Sequence, residues 1–196
     1  MKDNLDQKTN RLLQELKDYS PETYLHSINV AKICDGIAEK MGLDENRANT
    51  LHYSSLLHDI GKIKIPLEIL HKPEKLTPEE FEIVKNHVIY TKDILTENDF
   101  PQEIIAQAFH HHEKLDGSGY SEHITKDDLS IEDRILAIAD IAEALTSRRS
   151  YKDEFPVEKA CSILKIGAES GKLDPEITNL TISQLSQQLI VTDHNQ

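Results

Sequence analysis

Long apolar runs are absent from the sequence, which excludes a membrane-spanning helix because such a helix needs about 20 apolar residues in a row. The first residues, MKDNLDQKTNRLLQ, also contain no apolar signal segment, so we expect a cytoplasmic protein with no membrane partner. No internal repeat, low-complexity stretch or interdomain linker is evident. The 196 residues are therefore predicted to form one domain at residues 20–196, preceded by a helix at residues 1–19.

Cysteine and positive charge are both scarce. The two cysteines, Cys34 and Cys161, are too few for a disulfide framework or a thiolate zinc site, and each lies inside a predicted helix. The formal net charge is -13, whereas proteins that bind DNA or RNA polymers use many Lys and Arg side chains to neutralise phosphates. We therefore expect no nucleic acid polymer as a partner. A small anionic ligand stays open, because bound divalent cations can reverse the field inside one cleft.

Sustained alternation of apolar and polar residues is also rare, whereas apolar residues spaced three and four apart recur in nearly every long segment. This pattern predicts an all-α fold. The third helix is expected to run from Asp44 to about Ile60, and the helix that opens at Thr77 to about Leu95. Capping residues and prolines predict the helix starts at Ser20-Pro21, Asp44, Thr77-Pro78, Pro101, Ser130, Pro156 and Pro175.

For several histidines and acidic residues, the sequence permits two interpretations: metal binding or an ordinary structural role. The run HHHEKLDGSGYS at residues 110–121 is internal and follows an apolar segment, so it is not a terminal tag. Asp140 lies in a helix that is apolar on almost every side, where a carboxylate needs either a metal or a salt bridge. His26 shares a helix face with Glu22, although such pairs often arise by chance. His58-Asp59 also fits a helix-end histidine beside an exposed aspartate.

Together these positions form a set of imidazoles and carboxylates on five predicted helices. The set comprises His26, His58, Asp59, His87, His111, His112 and Asp140. Such ligands without thiolates suit Fe, Mn or Zn, and more than four of them suit two or more ions bridged by a carboxylate. Helical bundles can converge on a binuclear centre, and paired metal ions commonly catalyse displacement at phosphorus.

Five segments resemble the HD-GYP subgroup of the HD phosphohydrolases, in the family's order and over about residues 20–180. They are HSINVA at 26–31, LLHDIGKIKIP at 56–66, KPEKLTPEE at 72–80, HHEKLDGSGY at 111–120 and RILAIADIAEALTSRRSY at 134–151. The resemblance implies the HD-domain helical bundle with a central multinuclear metal site. It also implies a metal-dependent phosphodiesterase that opens cyclic di-GMP to pGpG and often onward to GMP.

The resemblance further implies a role for each matching residue. The metal ligands are His26, His58, Asp59, His87, His111, His112 and Asp140, with Asp59 bridging and Glu22 added where a third ion is bound. Lys62 approaches the scissile phosphate, so Asp59 and Lys62 are the catalytic candidates, although Lys62 also fits a solvated cation at a helix end. The substrate contacts are Lys62, Gly119, Tyr120, Arg149 and Lys152.

The cofactor implied is two or three divalent ions, with Fe or Mn favoured and Zn, Ni or Mg as alternatives. The partner implied is a cyclic dinucleotide substrate, and a homodimer or a regulatory signalling partner stays open. His110 falls outside the motif, and we expect it at the surface or behind the ligands.

Four positions depart from the family's pattern. They are Ser121, Val88 and Ser150, each in place of a proline, and Glu143 in place of an aspartate. Serine in place of proline at position 121 restores freedom to the backbone torsion, so we expect a more mobile loop there. Glu143 keeps the charge on a longer arm, and a hydrogen bond that it accepts from a ligand would alter metal affinity. Two alternatives therefore remain: an HD phosphohydrolase for another nucleotide, and a catalytically weak module that binds cyclic di-GMP.

Overall fold

The computed structural model describes residues 2–147 and 155–193, with side chains at 4–147 and 155–187. Over these ranges the chain is helical, without β-strands, and the predicted all-α fold is confirmed. The helices are α1 (Lys2–Tyr19), α2 (Pro21–Met41), α3 (Glu45–Leu57), α4 (Leu67–Leu70), α5 (Pro78–Lys85), α6 (His87–Glu97), α7 (Gln102–His110), α8 (Ile131–Thr146), α9 (Val157–Glu169) and α10 (Pro175–Asp193), with a 3-10 helix at Ile60–Lys64. None of the described helices combines the length and apolar character that a membrane span requires.

Helix boundaries follow the capping residues of the sequence. The Ser20 side chain accepts a hydrogen bond from the first turn of α2, and Gly42 ends that helix. Thr77 and Ser130 each form a capping box with the acidic residue three positions later. The predicted starts of α2, α5 and α8 are therefore confirmed, and the same caps fix the direction in which each helix enters the bundle.

The turn after α3 brings the chain into close contact with α6. α3 ends at Leu57, earlier than predicted, and the 3-10 helix follows. A Cβ on Gly61 would lie 2.0 Å from a backbone carbonyl oxygen of α6, so only glycine permits this approach. The Gly61 amide donates to Thr91 Oγ1 at 2.9 Å, and that hydroxyl donates to the carbonyl of His58 at 3.0 Å. The hydroxyl thereby ties the end of α3 to α6.

One predicted helix is divided in two. The helix expected from Thr77 to about Leu95 breaks at Asn86, and His87, expected in mid-helix, begins α6 instead. The physical reason is local, because His87 Nδ1 donates to the carbonyl of Val84, in the last turn of α5, at 2.7 Å. Because of this break, His87 lies at the start of α6 and not in the middle of one continuous helix.

Two apolar cores hold the bundle together. The first lies among α2, α3, α8, α9 and α10, and includes the fully buried Ile37 and Ile135. The second lies among α1, α2, α3, α6, α7 and the 3-10 helix, and includes Leu16 and Leu57. Since α2 and α3 contribute residues to both cores, these two helices connect the two parts of the bundle. The separation of residues 1–19 from the domain stays a prediction, although Leu16 of α1 lies in the second core.

Candidate metal centre

The seven candidate ligands come together from helix ends and faces that are far apart in sequence. They are His26 on α2, His58 at the end of α3, Asp59 in the next turn, His87 at the start of α6, His111 and His112 at the end of α7, and Asp140 on α8. We call His26, His58 and Asp140 the α8 half, and His87, His111 and His112 the α7 half. Within each half, one ligand atom from each residue lies within 4.8 Å of the others.

Asp59 lies between the two halves and is almost fully buried. Its Oδ1 is 3.4 Å from His87 Nε2 and 3.9 Å from His111 Nε2. Its Oδ2 is 3.4 Å from the Nε2 atoms of both His26 and His58. Among the described residues, Oδ1 has no hydrogen-bond partner. A buried carboxylate oxygen in that state is costly unless a cation lies beside it, so the geometry suits a bridging ligand.

Backbone carbonyls fix the tautomers in the α7 half. His87 Nδ1 donates to the carbonyl of Val84, and His111 Nδ1 to that of Ala108, each at 2.7 Å. Because a carbonyl only accepts, both Nδ1 atoms carry the proton and both Nε2 atoms of the neutral rings present lone pairs. The two Nε2 atoms are 3.3 Å apart. Two lone pairs face each other at that distance, an arrangement that a bound cation stabilises.

The α8 half repeats this pattern with one change. His58 Nδ1 donates to the carbonyl of Ser55 at 2.7 Å, and its Nε2 is 3.3 Å from His26 Nε2. Asp140 Oδ1 lies 3.0 Å from the same His26 nitrogen. The Nδ1 of His26, however, pairs with the carboxylate of Glu143 instead of a backbone carbonyl. A carboxylate partner makes an imidazole a more basic ligand than a carbonyl partner does.

Glu143 is itself held in place from two sides. Its Oε1 accepts from Asn29 Nδ2 at 3.3 Å and from Ser147 Oγ at 2.6 Å. The aspartate that the family places here is one methylene shorter, so the glutamate reaches His26 with a longer arm. The departure at Glu143 thus makes a hydrogen bond to a candidate ligand, and its effect on metal affinity stays a prediction.

The two halves also differ in charge. Burial alone would lower the pKa of His26, but hydrogen bonds to Asp140 and Glu143 outweigh it and raise the pKa. Burial lowers the pKa of His87 to about 4. Burial and the neighbouring imidazoles hold the pKa of His111 well below its usual value. The α7 half therefore offers neutral imidazoles, the form that binds metal, whereas in the α8 half the two carboxylates favour the protonated form of His26.

Lys62 contacts the central carboxylate from the side of the open surface. Its Nζ donates to Asp59 Oδ2 at 2.6 Å, and its side chain is 15% exposed. Burial alone would raise the pKa of Asp59, but Lys62 and the surrounding histidines hold it well below its usual range. Lys62 is thus a cation in the last turn of the 3-10 helix, as the alternative has it, but it is paired with Asp59 and not solvated. Its contact with a phosphate stays a prediction.

The remaining predicted residues divide into three cases. Glu22 lies one helical turn before His26 and is half-buried, but it belongs to neither half of the centre, and its role as a ligand stays a prediction. Arg149 and Lys152 lie outside the described residues. His110 lies between Glu122 and Asp133, at 3.4 and 3.5 Å, and is outside the described ligand groups as expected.

The loop that follows the ligand pair packs directly on the centre. The Tyr120 ring lies over that of His112, with centroids 4.7 Å apart. A Cβ on Gly119 would be 2.4 Å from the Cα of Glu113, so this position accepts only glycine. The peptide bond between Tyr120 and Ser121 is cis. Gly119 and Tyr120 thus lie at the edge of the centre, and their contact with substrate stays a prediction.

Sequence reasoning missed Glu113, which anchors this loop. The side chain is buried, and its Oε1 accepts from the backbone amides of Glu122 and His123 at 2.7 and 3.0 Å. Those two bonds close the loop that carries Tyr120. The one signal in the sequence was that Glu113 directly follows the two candidate ligands in the segment HHEKLDGSGY.

The donor set fits divalent cations. Imidazole nitrogens converge in both halves, and the α8 half adds a carboxylate oxygen of Asp140. The tautomers of His58, His87 and His111 point lone pairs inward, and the orphaned oxygen of Asp59 lies between the halves. The residues present could therefore hold an ion in each half, with Asp59 shared.

Comparisons with known proteins identify the family of the chain. The family described as HD domain matches residues 6–177. The chain is 41% identical over 169 residues to the "Cyclic di-GMP phosphodiesterase" of Thermotoga maritima, covering 85% of this chain and 45% of that protein. It is 40% identical over 166 residues to "3'3'-cGAMP-specific phosphodiesterase 2" of Vibrio cholerae, covering 83% and 31% respectively. The chain therefore spans less than half the length of either relative.

A solved structure has a similar fold. The HD domain of the L. monocytogenes phosphodiesterase PgpH, solved in complex with cyclic-di-AMP, superposes with a TM-score of 0.69. The superposition covers 91% of this chain and 95% of that chain, at 23% sequence identity. At this identity the likeness concerns the fold, and it agrees with the predicted HD-domain bundle.

Proposed function

Since the chain belongs to the HD domain family, in its HD-GYP subgroup, we propose that it is a metal-dependent phosphodiesterase that hydrolyses cyclic di-GMP to pGpG or GMP. The observation that carries this proposal is the pair of inward-facing ligand groups joined by the buried carboxylate of Asp59. Relatives named as phosphodiesterases of cyclic dinucleotides support the substrate class.

The cofactor we propose is two divalent ions per chain, with Fe or Mn favoured over Zn, Ni or Mg, and a third ion if Glu22 contributes. His26, His58 and Asp140 would hold one ion, His87, His111 and His112 the other, and Asp59 both. Ions in these positions would supply an activated water and neutralise charge that develops on the phosphodiester. Imidazole and carboxylate ligands without thiolate are compatible with each of these ions, and the preference for Fe or Mn rests on the resemblance to the HD-GYP subgroup.

The chain's own residues would perform the remaining tasks. The Nδ1 hydrogen bonds hold the imidazole rings in one orientation, so the ligands need little rearrangement when substrate binds. The Lys62 ammonium, at the open side of Asp59, would donate to an oxygen of the scissile phosphate. Gly119 and Tyr120 would line the substrate site beside His112. Arg149 and Lys152 would hold the second phosphate and a guanine.

A second candidate is hydrolysis of another cyclic dinucleotide, because three relatives are named for 3'3'-cGAMP. The opposing candidate is a module that binds cyclic di-GMP without turnover, which the departures at Ser121 and Glu143 keep open. Both candidates bind a cyclic dinucleotide, and they differ in whether the bound molecule is hydrolysed.

The test is an assay after anaerobic reconstitution with Fe(II) or Mn(II) and measurement of metal content. Cyclic di-GMP, 3'3'-cGAMP and cyclic di-AMP are supplied in turn, and the products are separated by chromatography. We expect pGpG or GMP from cyclic di-GMP at the highest kcat/KM. Faster turnover of cGAMP would favour the second candidate, and tight binding without any product from fully metallated protein would favour the binding module.

A further inference from the structure

A groove of about 930 Å³ opens next to Lys62, between α4, residues 71–77 and α5. We call it the α5 groove. Apolar side chains of α4 and α5 line the groove, and we call Lys62 and the charged lining residues between α4 and α5 its rim. Its size suits part of a small organic ligand, which usually occupies a cleft of about 300 to 1,000 Å³.

The α5 groove is joined to the metal centre at two points. Lys62 lines the groove and donates to Asp59, the central carboxylate. Val84 also lines the groove, and its carbonyl holds the ring of His87. A ligand whose phosphate lies at Asp59 and Lys62 would therefore have the groove immediately beside it.

An exposed aromatic ring forms one wall of the α5 groove. Phe81 is 48% exposed, which is unusual for a phenyl ring and leaves one large apolar surface without cover in the described chain. The Lys85 ammonium lies 5.8 Å from the Phe81 centroid and 5.6 Å from that of Tyr120. Since Tyr120 in turn packs on His112, a continuous row of rings and one cation leads from a candidate ligand to the groove.

The rim of the α5 groove carries three lysines, Lys62, Lys72 and Lys75, against one acidic residue, Glu74. This local excess of cations contrasts with the net charge of -13 for the whole chain. Lys72 is held by both carboxylate oxygens of Glu80 at 2.7 Å, whereas Lys75 is exposed on the rim. Lysine donors match the O6 and N7 acceptors of guanine, while adenine presents an amino group at the corresponding position.

We propose that the α5 groove binds one guanine base of the cyclic dinucleotide, an assignment that rests on the function proposed above. The base stacks on Phe81, as bases stack on aromatic side chains in proteins that bind single strands. Lys75 donates to the O6 and N7 edge and so favours guanine over adenine. Phe81 thereby determines how tightly the substrate binds, and Lys75 determines which base it carries.

The experiment compares Phe81→Ala, Phe81→Tyr and Lys75→Met in metal-reconstituted protein. Ile166→Ala is the matched control, since Ile166 is 63% exposed on α9, away from the groove-forming elements. The substrates are cyclic di-GMP, cyclic di-AMP and methyl p-nitrophenyl phosphate, a diester without a nucleobase. Metal content is measured for each variant, because the groove assignment requires it to stay at the wild-type value.

Phe81→Ala should lower kcat/KM for cyclic di-GMP about tenfold through KM, with Phe81→Tyr near wild type and the small diester unaffected. Lys75→Met should lower the ratio of cyclic di-GMP to cyclic di-AMP turnover about fivefold. Equal kcat/KM values for cyclic di-GMP in wild type and Phe81→Ala would overturn the groove assignment alone. If wild-type protein cleaved the small diester but no cyclic dinucleotide, the proposed function would fail and the assignment with it.

Discussion

The two halves of the candidate metal centre differ in how one histidine, His26, is oriented. In the α7 half, His87 and His111 donate to backbone carbonyls at the ends of α5 and α7. In the α8 half, His26 pairs with the side chain of Glu143. The α8 half also contains a carboxylate ligand, Asp140, whereas the α7 half consists of imidazoles.

This difference shows which part of the centre can be adjusted by mutation. A backbone carbonyl is present whatever the side chain, so the orientation in the α7 half is fixed by where α5 and α7 end. The orientation of His26 depends on one carboxylate and on the Asn29 and Ser147 contacts that position it. Substitutions outside the ligand set should therefore alter the α8 half far more than the α7 half.

The largest effect should come from the residue that both halves share. Asp59→Asn keeps the size of the side chain but removes its charge, so we expect metal content to fall below one ion per chain and kcat to fall by at least about 10³-fold. Elemental analysis and the diesterase assay measure both. His110→Ala is the control and should keep nearly full occupancy. Equal metal loss in the two variants would mean that the histidine run is assigned in the wrong register.

Single-ligand variants should separate the halves. Asp140→Ala should empty the α8 half and His87→Ala the α7 half, so that each variant retains about one ion per chain and loses about 100-fold or more in kcat. Electron paramagnetic resonance of the Mn(II)-loaded variants should show isolated ions in place of a coupled pair. Loss of both ions in each variant would contradict the division into two halves.

A smaller effect is expected from Glu143→Gln. The amide keeps the contact with His26 but not the charge, so the α8 half should bind Mn(II) about 10 to 100 times more weakly while the α7 half keeps its affinity. Calorimetric titration resolves the two sites. Glu143→Asp, which restores the family's residue, should lose less than the amide variant. An equal loss at both sites would show that Glu143 acts on the whole centre rather than on His26.

The smallest effect should follow from Ser121→Pro. A proline restricts one backbone torsion in the loop next to Tyr120 without touching a candidate ligand. We expect KM or the ratio of pGpG to GMP to change about twofold to fivefold, with metal content unchanged. Kinetic analysis and elemental analysis of the same preparation make the comparison. A changed metal content with an unchanged KM would show that the loop affects metal binding instead of substrate binding.

Much of the fold could be predicted because its boundaries are set by local chemistry. Ser20, Thr77 and Ser130 cap helices through their own side chains, and such signals are visible in a single sequence. The break at Asn86 was not predicted, since the apolar spacing continues across it. It depends on the bond from His87 to the carbonyl of Val84, which no residue pattern encodes.

The candidate ligands could be found from residue type, because a carboxylate inside an apolar helix, such as Asp140, must be stabilised by a cation or an ion pair. Their orientation could not, since the Nδ1 partners of His58 and His111 are backbone atoms whose positions depend on helix ends. Glu113 was missed for a related reason: its partners are the amides of residues 122 and 123, and only loop closure brings them near.

Titration of metal-free protein with Mn(II), with activity measured at each addition, tests most directly whether the two halves act as one centre. We expect little hydrolysis of cyclic di-GMP at one equivalent per chain and a plateau at two, or at three if Glu22 binds an ion. Full activity at one equivalent, with no further rise at two, would show that a single ion suffices and that Asp59 does not join two halves of one active site.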